Sequence, residues 1–258
     1  MTIHRRTLDD GTILEITLDR PKANAIDAAT SRELGALFVE FMNDPVQRVA
    51  IFTGAGERFF SAGWDLNAAN DGEAFDSDYG PGGFGGYPDL PARSKPIIAA
   101  VNGMAIGGGF EIAMAADLII AAEHATFALP ETSLGMLPDA GSVRLPRLLP
   151  RQLANEVLFA GRRLTAVEAQ HFGLVNAVTT GEGLMGAALE LARRVVRSAP
   201  LSIAAVLDVA RGSEALAVAD AMAAIRENPA YRTAIDSQDA LEGPRAFAEK
   251  REPRWQGR

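Results

Sequence analysis

Lys95-Pro96-Ile97-Ile98-Ala99-Ala100-Val101-Asn102-Gly103-Met104-Ala105-Ile106-Gly107-Gly108-Gly109-Phe110-Glu111 is the stretch from which the fold can be read. Pro96 to Val101 is an apolar run with the character of a buried strand. Three consecutive glycines follow, then a carboxylate, then the helix-favouring run Ile112-Ala113-Met114-Ala115-Ala116. Glycines at a strand-to-helix turn let the backbone approach another group closely. The first amides of the helix have no partner within it, and its dipole favours negative charge there. Glu111 falls in that first turn. An acid beside free N–H groups suits a site that stabilises an oxyanion and moves a proton. The same residues also describe a packing turn with a helix-favouring acid, so the remainder of the chain must decide.

Upstream, Ile3–Leu8 and Ile13–Leu18 flank Asp9-Asp10-Gly11, which predicts a hairpin. Asp27 can cap a helix whose apolar stripe is Leu34, Leu37, Phe38 and Phe41, and Asp44-Pro45 stops it. Val46 to Thr53 is the next expected strand. Ser61-Ala62-Gly63-Trp64-Asp65 opens an irregular region, and residues 70 to 91 are rich in Gly, Pro and Asp without either periodicity. A loop of that length in a compact protein is usually functional or disordered. Its Gly80-Pro81-Gly82-Gly83-Phe84-Gly85 fits G-x-G-x-x-G, but no strand leads in and no helix leads out, so it predicts no dinucleotide site.

Downstream, Leu118–Ala122 and Thr126–Leu129 read as strands. Helices are expected at about Gly141–Leu149, Leu153–Ala160 and Thr165–Phe172, the last opened by the capping box Thr165-x-x-Glu168. Leu174–Val178 is a last short strand. Helices then start near Leu184, Leu201, Glu214 and Tyr231. The expectation is an α/β core of recurring ββα-like units over residues 1–197 and a helical extension over 198–258, rich in small apolar residues that suit close helix packing or subunit contact.

The chain has 258 residues, 48% of them hydrophobic, and can bury a sizeable core. Its net charge of −8 argues against a nucleic-acid surface as its main business. Without cysteine there is no disulfide, thiolate nucleophile or zinc–thiolate site. His4, His124 and His171 stand far apart, so no metal is expected. The N-terminal ten residues lack the apolar core of a signal peptide, and Asn102, Glu111 and Asp117 interrupt the long apolar stretch, so no membrane partner is expected and the location is read as cytoplasmic.

Two carboxylates stand out, Glu111 after the glycines and Glu131 after Pro130. A pair brought to one site can divide acid and base duties. Spacing alone does not bring them together. The ordered set Ser61-Ala62-Gly63-Trp64-Asp65, Lys95 to Gly103, Gly107-Gly108-Gly109-Phe110-Glu111 and Leu129-Pro130-Glu131 resembles the enoyl-CoA hydratase/isomerase (crotonase) superfamily, along nearly the whole chain. Phe60 to Leu66, the Gly80–Phe84 loop, Leu137-Pro138-Asp139, Ala160-Gly161-Arg162-Arg163 and the tail Glu242-Gly243-Pro244 to Arg251 are similar to its carnitinyl-CoA dehydratase branch.

The resemblance implies a crotonase-like spiral of ββα units whose C-terminal helices build trimers, often paired into hexamers. It implies a thioester substrate whose oxygen is held by the backbone N–H groups of Trp64 and Gly108. Glu111 would then activate water for attack at C3 and Glu131 would protonate C2. CoA would lie near Ala23, Ala25 and Ala62, with Lys22 a candidate phosphate contact and Phe247 and Lys250 closing from a neighbouring subunit. CoA arrives as part of the substrate, so no separate cofactor is expected.

The acyl end is read from the loop. Asp71, Glu73, Asp76, Asp78 and Asp89 are interspersed with Phe75, Tyr79, Phe84 and Tyr87. Acidic and aromatic groups together suit a quaternary ammonium. Trp64, Tyr79, Phe84 and Asp139 are the acyl-pocket candidates, and a lid whose charges only confer solubility is the alternative. The expected reaction is hydration of an enoyl-CoA, foremost crotonobetainyl-CoA to carnitinyl-CoA. A general short-chain hydratase, a double-bond isomerase and a non-catalytic binding member are the rivals.

Overall fold

The computed structural model describes residues 3–258, and Met1 and Thr2 at the head of the N-terminal segment lie outside the described residues. In chain order the elements begin with strands β1 (Ile3–Leu8) and β2 (Ile13–Leu18), helix α1 (Ala28–Asn43), strands β3 (Val49–Gly54) and β4 (Phe59–Ser61), and helix α2 (Leu66–Asn70). Then come β5 (Ile97–Val101), β6 (Met104–Ile106), α3 (Gly108–Ala115), β7 (Leu118–Ala122) and β8 (Thr126–Ala128). A 3-10 turn (Glu131–Leu134) leads to α4 (Asp139–Leu148), α5 (Arg151–Ala160), β9 (Leu164–Thr165), α6 (Ala166–His171), β10 (Ala177–Thr179) and α7 (Leu184–Val196). Four helices follow: α8 (Pro200–Ser213), α9 (Val218–Ala224), α10 (Pro229–Ile235) and α11 (Gln238–Ala248).

The strands form two sheets, one ordered β1-β2-β3-β5-β7-β10 and a smaller one ordered β4-β6-β8-β9. Three times the chain leaves the large sheet and continues as a strand of the small one: β3 to β4, β5 to β6, β7 to β8. Each pair is followed by helical structure, which is the recurring ββα unit. Neighbouring turns of this spiral pair in parallel in both sheets, β3 with β5 and β5 with β7, β4 with β6 and β6 with β8. Every residue of β3 and of β5 is buried, as a parallel sheet covered on both faces requires. Asn102 holds the corner between β5 and β6. Its Nδ2 donates to Gly56 O at 2.7 Å and its Oδ1 accepts from Gly54 N at 3.1 Å, tying the corner to the preceding unit.

Several sequence boundaries move for local reasons. The strand expected from Val46 begins at Val49, because Asp44 Oδ1 accepts from Val46 N and Gln47 N and holds those residues in a turn. The strand expected from Leu174 begins at Ala177, since Leu174 N and Val175 N donate to Ala169 O at the end of α6. The helix expected from Tyr231 is two helices, with Ser237 accepting from Ala240 N to start α11. Asp27 caps α1 and Thr165 with Glu168 forms the capping box, as expected.

The 70–91 loop divides in two. Its second half includes a core anchor. Tyr87 is fully buried, donates its hydroxyl to Ile112 O at 2.5 Å and meets Phe38 and Phe52 edge-on. A Cβ on Gly86 would fall 2.5 Å from Gly35 N and from Leu34 Cβ, so the loop glycines serve close packing on α1. A buried aromatic of this size stabilises by about 1.5–3 kcal/mol, which anchors the loop.

Candidate active site

A cavity of about 610 Å³ opens between the N-terminus of α3, the 3-10 turn, the start of α4 and the 70–91 loop. Its depth is made of backbone. Gly63 has φ +79°, and a Cβ there would lie 2.6 Å from Gly108 N, so the segment after β4 and the start of α3 meet only because position 63 has no side chain. Gly107 has φ +57° and ψ −130° at the N-cap of α3, and a Cβ there would strike Glu131 Oε1 at 2.7 Å. Glycine at both positions therefore brings Trp64, Gly108 and Glu131 together.

Two amides are left over by this geometry. Ile26 N donates to Gly63 O and Asp65 N donates to Ile26 O, so the intervening Trp64 N–H is directed away from Ile26. Gly108 N is the first amide of α3 and precedes the helix's own hydrogen bonds. Both residues line the cavity. The segment carrying Trp64 is fixed from below. Ser61 Oγ donates to Asn24 O at 2.7 Å and accepts from Gly63 N at 3.0 Å, and Ala62 N donates to Ala23 O at 2.9 Å. Arg20 bridges Asp27 at 2.8 Å and Asp65 at 3.2 Å, joining the 20–27 turn to the same segment.

Glu111 and Glu131 both face this cavity. Glu111, in the first turn of α3, accepts from Gly141 N at 2.7 Å through Oε1. Burial pushes its carboxyl up to about 7; the negative charges of Asp139 and Glu131 add to this, while the Gly141 N–H and Arg144 oppose it. Glu131 is only 8% exposed, and its Oε2 has no hydrogen-bond partner among the described residues. Burial raises its carboxyl as well, with the charge of Asp139 assisting. Two carboxyls with raised proton affinity beside two outward amides are suited to exchanging protons with a bound molecule.

Among the remaining candidates, Ala25, Ala62, Trp64, Tyr79, Phe84 and Asp139 line the cavity. Trp64 donates its indole N–H to Glu73 Oε1 at 2.8 Å and meets Phe75 edge-on. Phe84 lies against Gly108, where a Cβ would fall 2.5 Å from its ring, and Tyr79 meets Phe84 edge-on. Lys22 and Ala23 lie just outside the lining, on the turn beneath Ala62. Phe247 and Lys250, at and beyond the end of α11, are not brought to the cavity within one chain, and Phe247 is 87% exposed. Of the loop acids, Asp78 and Asp89 line the cavity, whereas Asp71, Glu73 and Asp76 do not. Glu73 instead accepts from Ala28 N at 3.0 Å at the start of α1. Tyr87, grouped with the acyl-end aromatics by sequence, is core. Sequence reading missed Gly141, whose N–H holds Glu111; glycine in the first turn of a helix after Pro138 was the available signal.

Residues 9–258 match the profile of the enoyl-CoA hydratase/isomerase family. The chain belongs to that family. Membership bears out the crotonase-like fold and the expected class of enzyme, a hydratase or dehydratase acting on CoA thioesters. The carnitinyl-CoA dehydratase of Citrobacter koseri is 56% identical over 251 residues, 96% of this chain and 96% of that protein. That of Salmonella arizonae is 55% identical over 255 residues, 98% of each. An enoyl-CoA hydratase structure from Mycobacterium tuberculosis superposes with a TM-score of 0.91 at 36% identity, over 100% of this chain and 99% of that one. One from Bacillus anthracis gives 0.90 at 31% identity over 100% of both. No helix among the described residues is long and apolar enough to cross a membrane.

Proposed function

We propose that this enzyme adds water reversibly across the double bond of a trans-2-enoyl-CoA, with crotonobetainyl-CoA and carnitinyl-CoA as its substrate pair. The observation that carries the reading is the meeting of Glu111 and Glu131 beside the outward amides of Trp64 and Gly108. The thioester oxygen accepts from those two amides, which stabilise the enolate-like charge formed on addition; one such donor is worth about 3–4 kcal/mol. Glu111 takes a proton from water as its oxygen bonds to C3. Glu131, whose proton affinity burial raises, delivers a proton to C2. The proton gained by Glu111 returns through solvent to Glu131, so the sum is addition of one water. In reverse, Glu131 removes the C2 proton and Glu111 protonates the departing hydroxyl.

The choice of acyl group rests on the carnitinyl-CoA dehydratases that are more than half identical over nearly the whole chain, and on the acid and aromatic wall of the cavity. The CoA moiety would run past Ala62, Ala25 and Ala23 toward Lys22. The helical extension leaves Val206, Val218, Met222, Leu241 and Phe247 exposed. We assign this surface to a trimer or a pair of trimers in the cytoplasm, in which Phe247 and Lys250 close over a neighbour's CoA. The test is a panel of enoyl-CoA thioesters that includes crotonobetainyl-CoA, followed by loss of the conjugated-thioester absorbance. The expected result is the highest kcat/KM for crotonobetainyl-CoA. Equal turnover of crotonyl-CoA would point to a general short-chain hydratase, and no turnover of any would overturn the reading.

A further inference from the structure

The cavity wall carries six carboxylates, Asp65, Asp78, Asp89, Glu111, Glu131 and Asp139, and among the described residues no Lys, Arg or His lines it. Three of the six have other local engagements. Asp65 pairs with Arg20 and caps α2, Asp78 accepts from Gly80 N, and Asp89 lies against Gly83. Glu111 and Glu131 belong to the proton chemistry. Asp139 remains. It stands in the first turn of α4, two residues before the Gly141 that holds Glu111, and its only hydrogen bond among the described residues is to its neighbour Ala140 N.

We propose that Asp139 is the specificity-determining residue for a cationic acyl group, holding a quaternary ammonium on its carboxylate with the rings of Tyr79 and Phe84 as the adjoining wall. The inference deepens the hydratase reading and rests on it. A quaternary ammonium has no N–H, so it is recognised by charge and by aromatic faces rather than by hydrogen bonds. Tyr79 and Phe84 meet edge-on at 5.3 Å, which presents ring surface beside the carboxylate. Asp139 lies near enough to Tyr79 that its charge, after burial and Glu73, contributes to pushing that phenol up to about 12.

The cation has a second consequence. The charged groups that act on Glu111 are Asp139 and Arg144 of α4 and Glu131 of the 3-10 turn, and Tyr79, Asp78 and Asp89 of the loop line the same cavity. Arg144 is the only cation among them, and its Nη2 is turned to Pro88 O at 3.2 Å. A positive acyl group seated at Asp139 offsets the surrounding negative charge and favours the ionised form of Glu111, the form that accepts a proton from water.

Crotonobetainyl-CoA and its tert-butyl isostere, in which carbon replaces the charged nitrogen, have the same shape and separate charge from size. Wild type is expected to favour the cation by about tenfold or more in kcat/KM, and Asp139→Asn to collapse that ratio to within about threefold. The acidic limb of the kcat profile should also lie at lower pH for the cationic substrate than for the isostere, a signature a merely structural residue would not produce. Failure of wild type to hydrate either thioester would overturn the hydratase reading itself. Equal turnover of both would leave that reading intact and overturn selection by charge. A preference that survives in Asp139→Asn would remove this role from Asp139.

Discussion

The two ends of the cavity are built in opposite ways. The deep end is backbone: two glycines without room for a Cβ, two outward amides and two carboxyls whose proton affinity is raised by burial. The outer wall is side chains: Trp64 just before α2, and Phe75, Tyr79 and Phe84 interleaved with acids on a loop that has neither helix nor strand between α2 and β5. Backbone donors read an oxygen and are indifferent to what lies beyond it. Side chains on a loop read the remainder of the acyl group. Reaction class and substrate choice are thereby given to different groups, backbone and side chain, even where the Phe84 ring lies against Gly108, and substitutions of the two kinds should fail differently.

The largest effect is expected at the deep end. Glu111→Gln and Glu131→Gln should each lower kcat by about 10²–10⁴-fold, measured by the rate of thioester hydration, with the fold retained by circular dichroism. Activity that survived the first change but not the second would indicate double-bond migration. Gly63→Ala should cost about 10²–10³-fold in kcat, because its Cβ displaces Gly108 N and one oxygen donor is misplaced.

A third prediction concerns stability. The carboxyl of Glu111 has its ordinary value of 4.5 when unfolded and about 7 when folded, so the folded state binds its proton more tightly. Stability from this group is lost as pH rises between those values. Glu111→Gln, inactive, should therefore gain on wild type across that window, by about 1–3 kcal/mol at pH 8 relative to pH 4, read from denaturant midpoints. The smallest effect belongs to the outer wall. Glu73→Ala removes the acceptor shared by Trp64 and the first amide of α1, and should cost about 1 kcal/mol of stability while raising KM more than it lowers kcat.

This division also explains what could be read before the structure. Strands β2, β5 and β7 follow from their apolar residues, β1 from the Asp9-Asp10-Gly11 turn that it shares with β2, and α1 from its stripe and Asp27 cap, because those signals are local. Glu111 and Glu131 stood out for the same reason, each beside a turn motif. Their meeting was not legible from spacing, since it depends on β6 and β8 pairing in the small sheet and on Gly107 yielding space to Glu131. Strand β6 itself was hidden. Met104-Ala105-Ile106 is three residues between glycines and gains its identity only from its neighbours on either side. The loop was least legible. Tyr87 and Glu73 carry no sequence mark that distinguishes a core anchor and a helix-start acceptor from the acids and aromatics that face the cavity.

The central claim is that the deep end adds water across the conjugated bond. Its most direct test is to turn over crotonobetainyl-CoA in water carrying heavy oxygen and deuterium and to weigh the product. The account predicts one heavy oxygen at C3 and one deuterium at C2. A product with deuterium but no added oxygen would contradict it.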